Sequence, residues 1–163
     1  MLPGQTHHLV IADSDEHGED GHLTEDLAVR NRMVVKRLAK VEGLRWEVIQ
    51  PRFDGPAGAE LLLVSWGSTG AAVAEAAANL CDRGTAASTL HFTQVWPLDP
   101  GRFLGALRAA QHVVFVEGNA TGQFERLVRR ETAFEGAGNV RRFDGLPITC
   151  GYILRALAAA GMA

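Results

Sequence analysis

Two glycine-rich turns hold the residues best suited to chemistry. In Trp66-Gly-Ser-Thr-Gly70, the backbone N–H groups of Gly67, Ser68 and Thr69 and two hydroxyls precede an alanine-rich helical pattern. Such a helix start can receive an anion, or Ser68 or Thr69 can simply act as an N-cap. No lysine follows, and the G-x-G-x-x-G pattern is absent, so the turn is neither a P-loop nor a dinucleotide fingerprint. The second turn is Glu117-Gly-Asn-Ala-Thr-Gly-Gln123. Glu117 directly follows the apolar run Val113–Val116, where a carboxylate must be solvated or paired. Asn119, Thr121 and Gln123 can hydrogen-bond a ligand or a partner surface. Equally, Thr121 can cap the next helix while Glu117 pairs with an arginine.

Elsewhere the chemistry thins out. Asp13, Asp15 and Gly18 occupy positions one, three and six of a calcium loop, but position five is His17 and position twelve is Thr24 in place of glutamate. The acidic run Asp13–His22 therefore reads as a solvated loop or docking surface, and no metal site is assigned. Cys81 and Cys150 cannot supply the four thiolates an iron–sulfur cluster usually takes. No serine sits in a G-x-S-x-G elbow, and His91 and His112 read as ordinary core or edge residues. No catalytic residue is assigned. Arg126, Arg129 and Arg130 lie near one helix face, fit for an acidic partner or for solvent.

The elements that position these turns follow from the apolar pattern. His8–Ala12 reads as a short strand. From Thr24 a helix is expected, with Thr24 as its cap, Leu27, Val34, Leu38, Val41 and Leu44 on one stripe, and Lys36, Arg37 and Lys40 towards its basic end. Pro51–Gly58 reads as a connector, which divides the chain into an N-terminal unit, residues 1–58, and an α/β domain, residues 59–163. In the second part Glu60–Trp66, Thr89–Val95 and His112–Glu117 read as strands, each followed by a helix. Asp99-Pro100 starts one of those helices, an N-cap followed by proline. A short strand at Val140–Phe143 and a helix capped by Thr149 complete the pattern. The expected architecture is α/β, three layers, with a mostly parallel sheet covered on both faces.

The 163 residues suit a single compact core, and 47% are hydrophobic against 21% charged, a globular balance. A formal charge of −3, with lysine only at Lys36 and Lys40, gives no reason to expect nucleic acid or an anionic membrane as partner. No apolar run approaches the roughly 20 residues of a membrane span. The start, Met1-Leu-Pro-Gly-Gln-Thr6, lacks the basic and apolar regions of a signal peptide, so a cytoplasmic location is expected.

Five segments in order carry a resemblance: Asp13-Ser-Asp-Glu-His-Gly18; the helix with Thr24, Glu25, Asp26, Arg30, Met33, Lys36 and Arg37; Val64-Ser-Trp-Gly-Ser-Thr69; His91-Phe-Thr-Gln-Val-Trp-Pro-Leu98; and Val116-Glu-Gly-Asn-Ala-Thr-Gly-Gln123. From about Leu9 onward the chain resembles the C-terminal part of the alpha subunit of 2-oxoacid:ferredoxin oxidoreductases, especially the 2-oxoglutarate type. The resemblance implies a fold like the transketolase C-terminal domain, with a five-stranded mixed sheet whose first strand is antiparallel to the rest. It implies membership in a complex that uses thiamine diphosphate, magnesium and an iron–sulfur cluster to convert a 2-oxoacid to an acyl-CoA. The cofactor-binding domain of the alpha subunit, the beta subunit and, indirectly, ferredoxin would be the partners. On that view this chain holds no cofactor, is not catalytic alone, and contributes an interface through the acidic loop and the Glu117–Gln123 turn. The alternative is a stand-alone module that binds an anionic metabolite at the two glycine turns. Assembly into a homo-oligomer stays open.

Overall fold

The computed structural model of the chain describes Gln5 and residues 15–162. The expected strand at His8–Ala12, and Asp13 of the calcium-loop pattern, lie outside the described residues. The chain divides into two compact units, Met1–Glu47 and Val48–Ala163.

In the first unit the acidic segment folds back on itself through an isolated bridge, His17 to Leu23, before helix α1 (Leu27–Trp46). The cap of α1 is Asp26, not Thr24: the Asp26 carboxylate accepts from Ala28 N at 2.7 Å and from Val29 N at 3.3 Å. Thr24 Oγ1 instead accepts from Asp26 N at 3.2 Å and so orients the cap. The helix runs on to Trp46, which leaves Lys36 and Arg37 near its middle. The stripe read from the sequence is not a buried one. Leu27, Leu38 and Leu44 are exposed, Val34 and Val41 are half-buried, and Met33 is the one buried residue of the helix.

The second unit is built on a five-stranded sheet of order β1-β3-β2-β4-β5. Its elements are β1 (Arg52–Asp54), β2 (Leu61–Trp66), α2 (Gly70–Asp82), β3 (Ala87–Phe92), α3 (Leu104–Ala109), β4 (His112–Glu117), α4 (Gln123–Thr132), β5 (Gly138–Arg141) and α5 (Cys150–Ala159). β2, β3, β4 and β5 are mutually parallel, and β1 pairs antiparallel with β3. The antiparallel first strand agrees with the expected mixed sheet. It is formed by Arg52–Asp54, within the Pro51–Gly58 segment expected to be a connector.

Because the central strands are apolar on both faces, two separate cores form. On one face Leu61, Leu63, Val114 and Val116 meet Val73, Ala76 and Leu80 of α2 and Ile153 and Leu157 of α5. On the other, Leu62, Val64, Val113 and Phe115 meet Phe103, Leu107 of α3, and Phe124 and Val128 of α4. The helices thus cover both sides of the sheet, as the three-layer expectation required. Two caps fall where the sequence placed them. Asp99 accepts from Gly101 N at 3.2 Å ahead of the turn into α3, and Thr149 Oγ1 accepts from Tyr152 N at 3.3 Å at the start of α5.

Ile153 is fully buried between α2 and the sheet. Replacing it with alanine removes three carbons from a close-packed site, so Ile153→Ala should cost about 2–5 kcal/mol in chemical denaturation. A loss below about 1 kcal/mol would mean that this layer is not packed as described.

Candidate functional site at the carboxyl edge of the sheet

β2 and β4 are neighbours, yet their chain continuations diverge. β2 leads through α2 to β3 on one side, and β4 leads through α4 to β5 on the other. α2 packs on one face and α4 on the opposite face. That reversal is a topological switch point, the usual ligand crevice of an open parallel sheet. Both glycine turns exit here, Gly67–Gly70 from β2 and Glu117–Gln123 from β4, and Trp66 Nε1 links them by donating to Glu117 at 3.3 Å. The structure therefore brings Gly67, Ser68, Thr69, Glu117, Asn119, Thr121 and Gln123 to one edge.

Glu117 is 1% exposed, and its carboxylate is fully engaged by its own chain. One oxygen accepts from Trp66 Nε1 at 3.3 Å, Asn119 Nδ2 at 2.8 Å and Phe124 N at 2.8 Å; the other accepts from Glu125 N at 2.9 Å. The Asn119 carbonyl oxygen accepts from Thr121 N, Gly122 N and Gln123 N at 3.2, 2.8 and 3.1 Å. Together the two side chains satisfy five consecutive backbone donors at the start of α4, a task that falls to caps when no ligand does it. The expected alternative, Thr121 as cap with Glu117 paired to an arginine, is corrected: Thr121 is exposed and makes no cap, and no ion pair of Glu117 occurs among the described residues. The side chain of Gln123 lies exposed beside them. Burial holds the neighbouring Glu125 carboxyl above its ordinary pKa, against the opposing pull of Arg141.

The first turn is different. A 3-10 turn, Gly67–Thr69, precedes α2, and no side chain caps either start. Thr69 donates to Trp66 O at 2.8 Å, so its hydroxyl closes the turn. Gly67 has φ +60°, in the left-handed region, where glycine is needed to avoid strain. Gly67 and Ser68 are exposed and Thr69 is buried.

His91, expected as an ordinary core or edge residue, lies half-buried on β3. It bonds Ser65 of β2, Oγ to Nδ1 at 2.9 Å, and its ring lies over Gly70, where an added Cβ would stand 2.7 Å from Cε1. Burial first, and the Arg52 cation second, push the imidazole below its ordinary pKa. A neutral ring fits this place between strand and helix. The signal in the sequence was the serine-histidine-glycine register across β2, β3 and α2, which only the strand pairing Ser65 to His91 reveals.

The acidic loop is committed to its own helix. Glu16 accepts bidentate from Arg37, Nη1 at 2.9 Å and Nη2 at 2.8 Å, and Glu19 pairs with Lys36 at 2.8 Å. Asp20 binds His22 at 3.0 Å, and no group of three or more metal-ligating residues forms among the described residues.

No protein-family model matches the chain. Among curated proteins it is 33% identical over 139 residues to a 2-oxoacid:ferredoxin oxidoreductase alpha subunit (number 1) of Aeropyrum pernix, covering 82% of this chain and 22% of that protein. A second alpha subunit of that organism is 32% identical over 142 residues, covering 82% and 21%. The chain thus spans about a fifth of the length of these relatives. Among solved structures, a 2-oxoglutarate:ferredoxin oxidoreductase from Magnetococcus marinus, bound to 2-oxoglutarate, coenzyme A and succinyl-CoA, matches with TM-score 0.69 and 26% identity. It covers 96% of this chain and 27% of that one. A split-gene transketolase, at 20% identity and TM-score 0.50 over 67% of this chain and 41% of its own, shares the fold.

Two outcomes test this geometry. In Glu117→Gln the amide nitrogen must face a backbone N–H, so denaturation should show a loss of about 1–3 kcal/mol; an unchanged midpoint would remove Glu117 from its capping role. The Arg37 guanidinium hydrogen-bonded to Glu16 holds that carboxyl down at about 2, from an ordinary 4.5. The contact therefore stabilises the folded unit fully above the ordinary value and is lost as pH falls towards 2. A carbon-13 titration should place the Glu16 midpoint well below 4.5, and Arg37→Ala should return it upward. A midpoint left at the ordinary value in the unaltered chain would show that the pair does not form.

Proposed function

This chain is a homologue of 2-oxoacid:ferredoxin oxidoreductase alpha subunits, and from that premise we propose that it serves as the C-terminal domain, or a separate small subunit, of such an enzyme. Its role is architectural: the transketolase-like unit packs against the rest of the complex and fixes a subunit interface. The reaction is the oxidative decarboxylation of a 2-oxoacid, with 2-oxoglutarate as the substrate and an acyl-CoA as the product. The cytoplasm is the location that goes with it; no helix among the described residues is long and apolar enough to cross a membrane.

The observation that carries this reading is the spent switch point. A diphosphate requires free donors at a helix start, and all five at α4 already serve Glu117 and Asn119. A buried carboxylate at the same place repels phosphate oxygens. The start of α4 does not fit thiamine diphosphate, and with two cysteines the chain does not fit a four-thiolate iron–sulfur cluster. Thiamine diphosphate, magnesium, the cluster and the coenzyme A site are assigned to the other domains. The same observation disfavours the stand-alone metabolite module, because one of its two turns has nothing left to offer an anion.

Ser68, Thr121 and Gln123 then read as contacts to the cofactor-binding domain or the beta subunit, held out by a rigid edge rather than aimed at a pocket. Mixed with 2-oxoglutarate, coenzyme A, thiamine diphosphate and a viologen acceptor, the isolated chain should reduce nothing. Co-produced with the remaining alpha and beta parts of its parent enzyme, it should co-purify and support turnover. Reduction by the chain alone, or failure to co-purify with those parts, would overturn the assignment.

A further inference from the structure

Ser65, His91 and Gly70 form one contact across β2, β3 and the start of α2, on the face of the sheet that α2 covers. Ser65 is fully buried, and the hydrogen-bond partner of its hydroxyl among the described residues is His91 Nδ1, at 2.9 Å. A buried hydroxyl keeps its proton bonded, so it donates to Nδ1 and the neutral ring carries its own proton on Nε2. An imidazolium has two donors and no acceptor. Protonation of His91 would turn the Ser65 bond around and leave the hydroxyl proton buried without a partner. The ring also lies at the uncapped start of α2, where the helix dipole is positive. Across the β1–β3 pair its direct neighbour is the cation of Arg52. No anion offsets these three effects. β2 and α2 face the ring with Ser65 and Gly70, Asp54 of β1 stands opposite Thr89, and Glu117 is turned to α4. Among the described residues no carboxylate pairs with His91 or Arg52.

We propose that His91 is an acid-operated latch on the first turn: neutral, it ties β3 to Ser65 and Gly70, and protonated, it swings to solvent and releases the Gly67–Gly70 turn. The ring is half-buried, so one side of it already meets water. The exposed Ser68 rides on that turn, so the proton changes what the edge of the sheet presents. Burial, then Arg52, hold the imidazole below its ordinary 6.5. The sign follows: the contact contributes its full stability above the ordinary value and loses it as pH falls from there through the lower, folded value. The latch goes beyond the proposed place in an oxidoreductase, which is read out by co-purification and turnover and stands or falls separately.

Long-range proton–nitrogen spectra of the 163-residue chain should show His91 as the Nε2–H tautomer with a midpoint below 6.5. Overhauser contacts between its ring and Gly70 should be present above that midpoint and absent below it, and the amides of Gly67–Gly70 should shift with the same midpoint. Arg52→Gln, on an exposed strand, should move the ring's midpoint upward and carry the transition of the turn with it. His91→Gln leaves Ser65 an acceptor that does not titrate. It should abolish that transition and flatten the fall in the denaturation midpoint from neutral to mildly acid pH. A His91 midpoint at or above 6.5, a charged ring that keeps its Gly70 contacts, or a transition that survives His91→Gln or ignores Arg52→Gln would overturn the proposal.

Discussion

A single buried carboxylate organises the second unit. Glu117 ends the inner strand β4 and leads into the helix that follows, holding the first turn of α4 by two backbone N–H groups and the neighbouring strand by the indole of Trp66. Holding Phe124 N sets the Phe124 ring into the core, with centroids 4.8 Å from Phe92 and 6.4 Å from Phe115. Phe92 in turn stands edge-on to Phe103 at 5.1 Å, ahead of α3. One polar anchor therefore locks the aromatic layer on that face, and a buried charge survives there because four donors replace its water.

The same anchor decides what the edge of the sheet can do. Switch points receive ligands because helix starts bring unpaired donors and a positive dipole end to a crevice. Here the chain has supplied its own anion. What is left at the surface is an arrangement of hydroxyl and amide groups at Ser68, Thr121 and Gln123 beside exposed glycines. The region shared with the homologous chains is only about a fifth of their length.

Much of this was legible in the residues. The apolar runs Leu61–Val64 and Val113–Val116 have no polar alternation, which is how strands buried on both faces read, and Asp99 and Thr149 announce their helices. Arg52–Asp54 was not legible, because three exposed residues carry no periodicity and pair only through the backbone. Asn119 was named, but not as a cap. Its oxygen reaches three N–H groups across a loop whose shape depends on Gly122 at φ +64°, and no spacing rule conveys that. His91 was legible as a strand residue, but not its partners, which lie on β2 and α2, distant in sequence. For α1 the stripe was sound as helical periodicity, but periodicity records an apolar face without saying what covers it. The α/β architecture followed from the local pattern, whereas the antiparallel first strand came only from the family resemblance.

The smallest strand has the largest consequence for how the sheet ends. β1 is three residues long and flanks β3, five of whose six residues are buried and which carries a full row of backbone pairing groups. With Arg52 and Asp54 on it, the outermost strand is short and charged, the pattern by which sheets discourage unwanted strand addition. A chain begun after Gly58 would keep both cores, yet it would bare the β3 edge at Thr89, Leu90 and His91. Such an edge invites another molecule's strand, so those few residues before the core act as a guard against fibrous association.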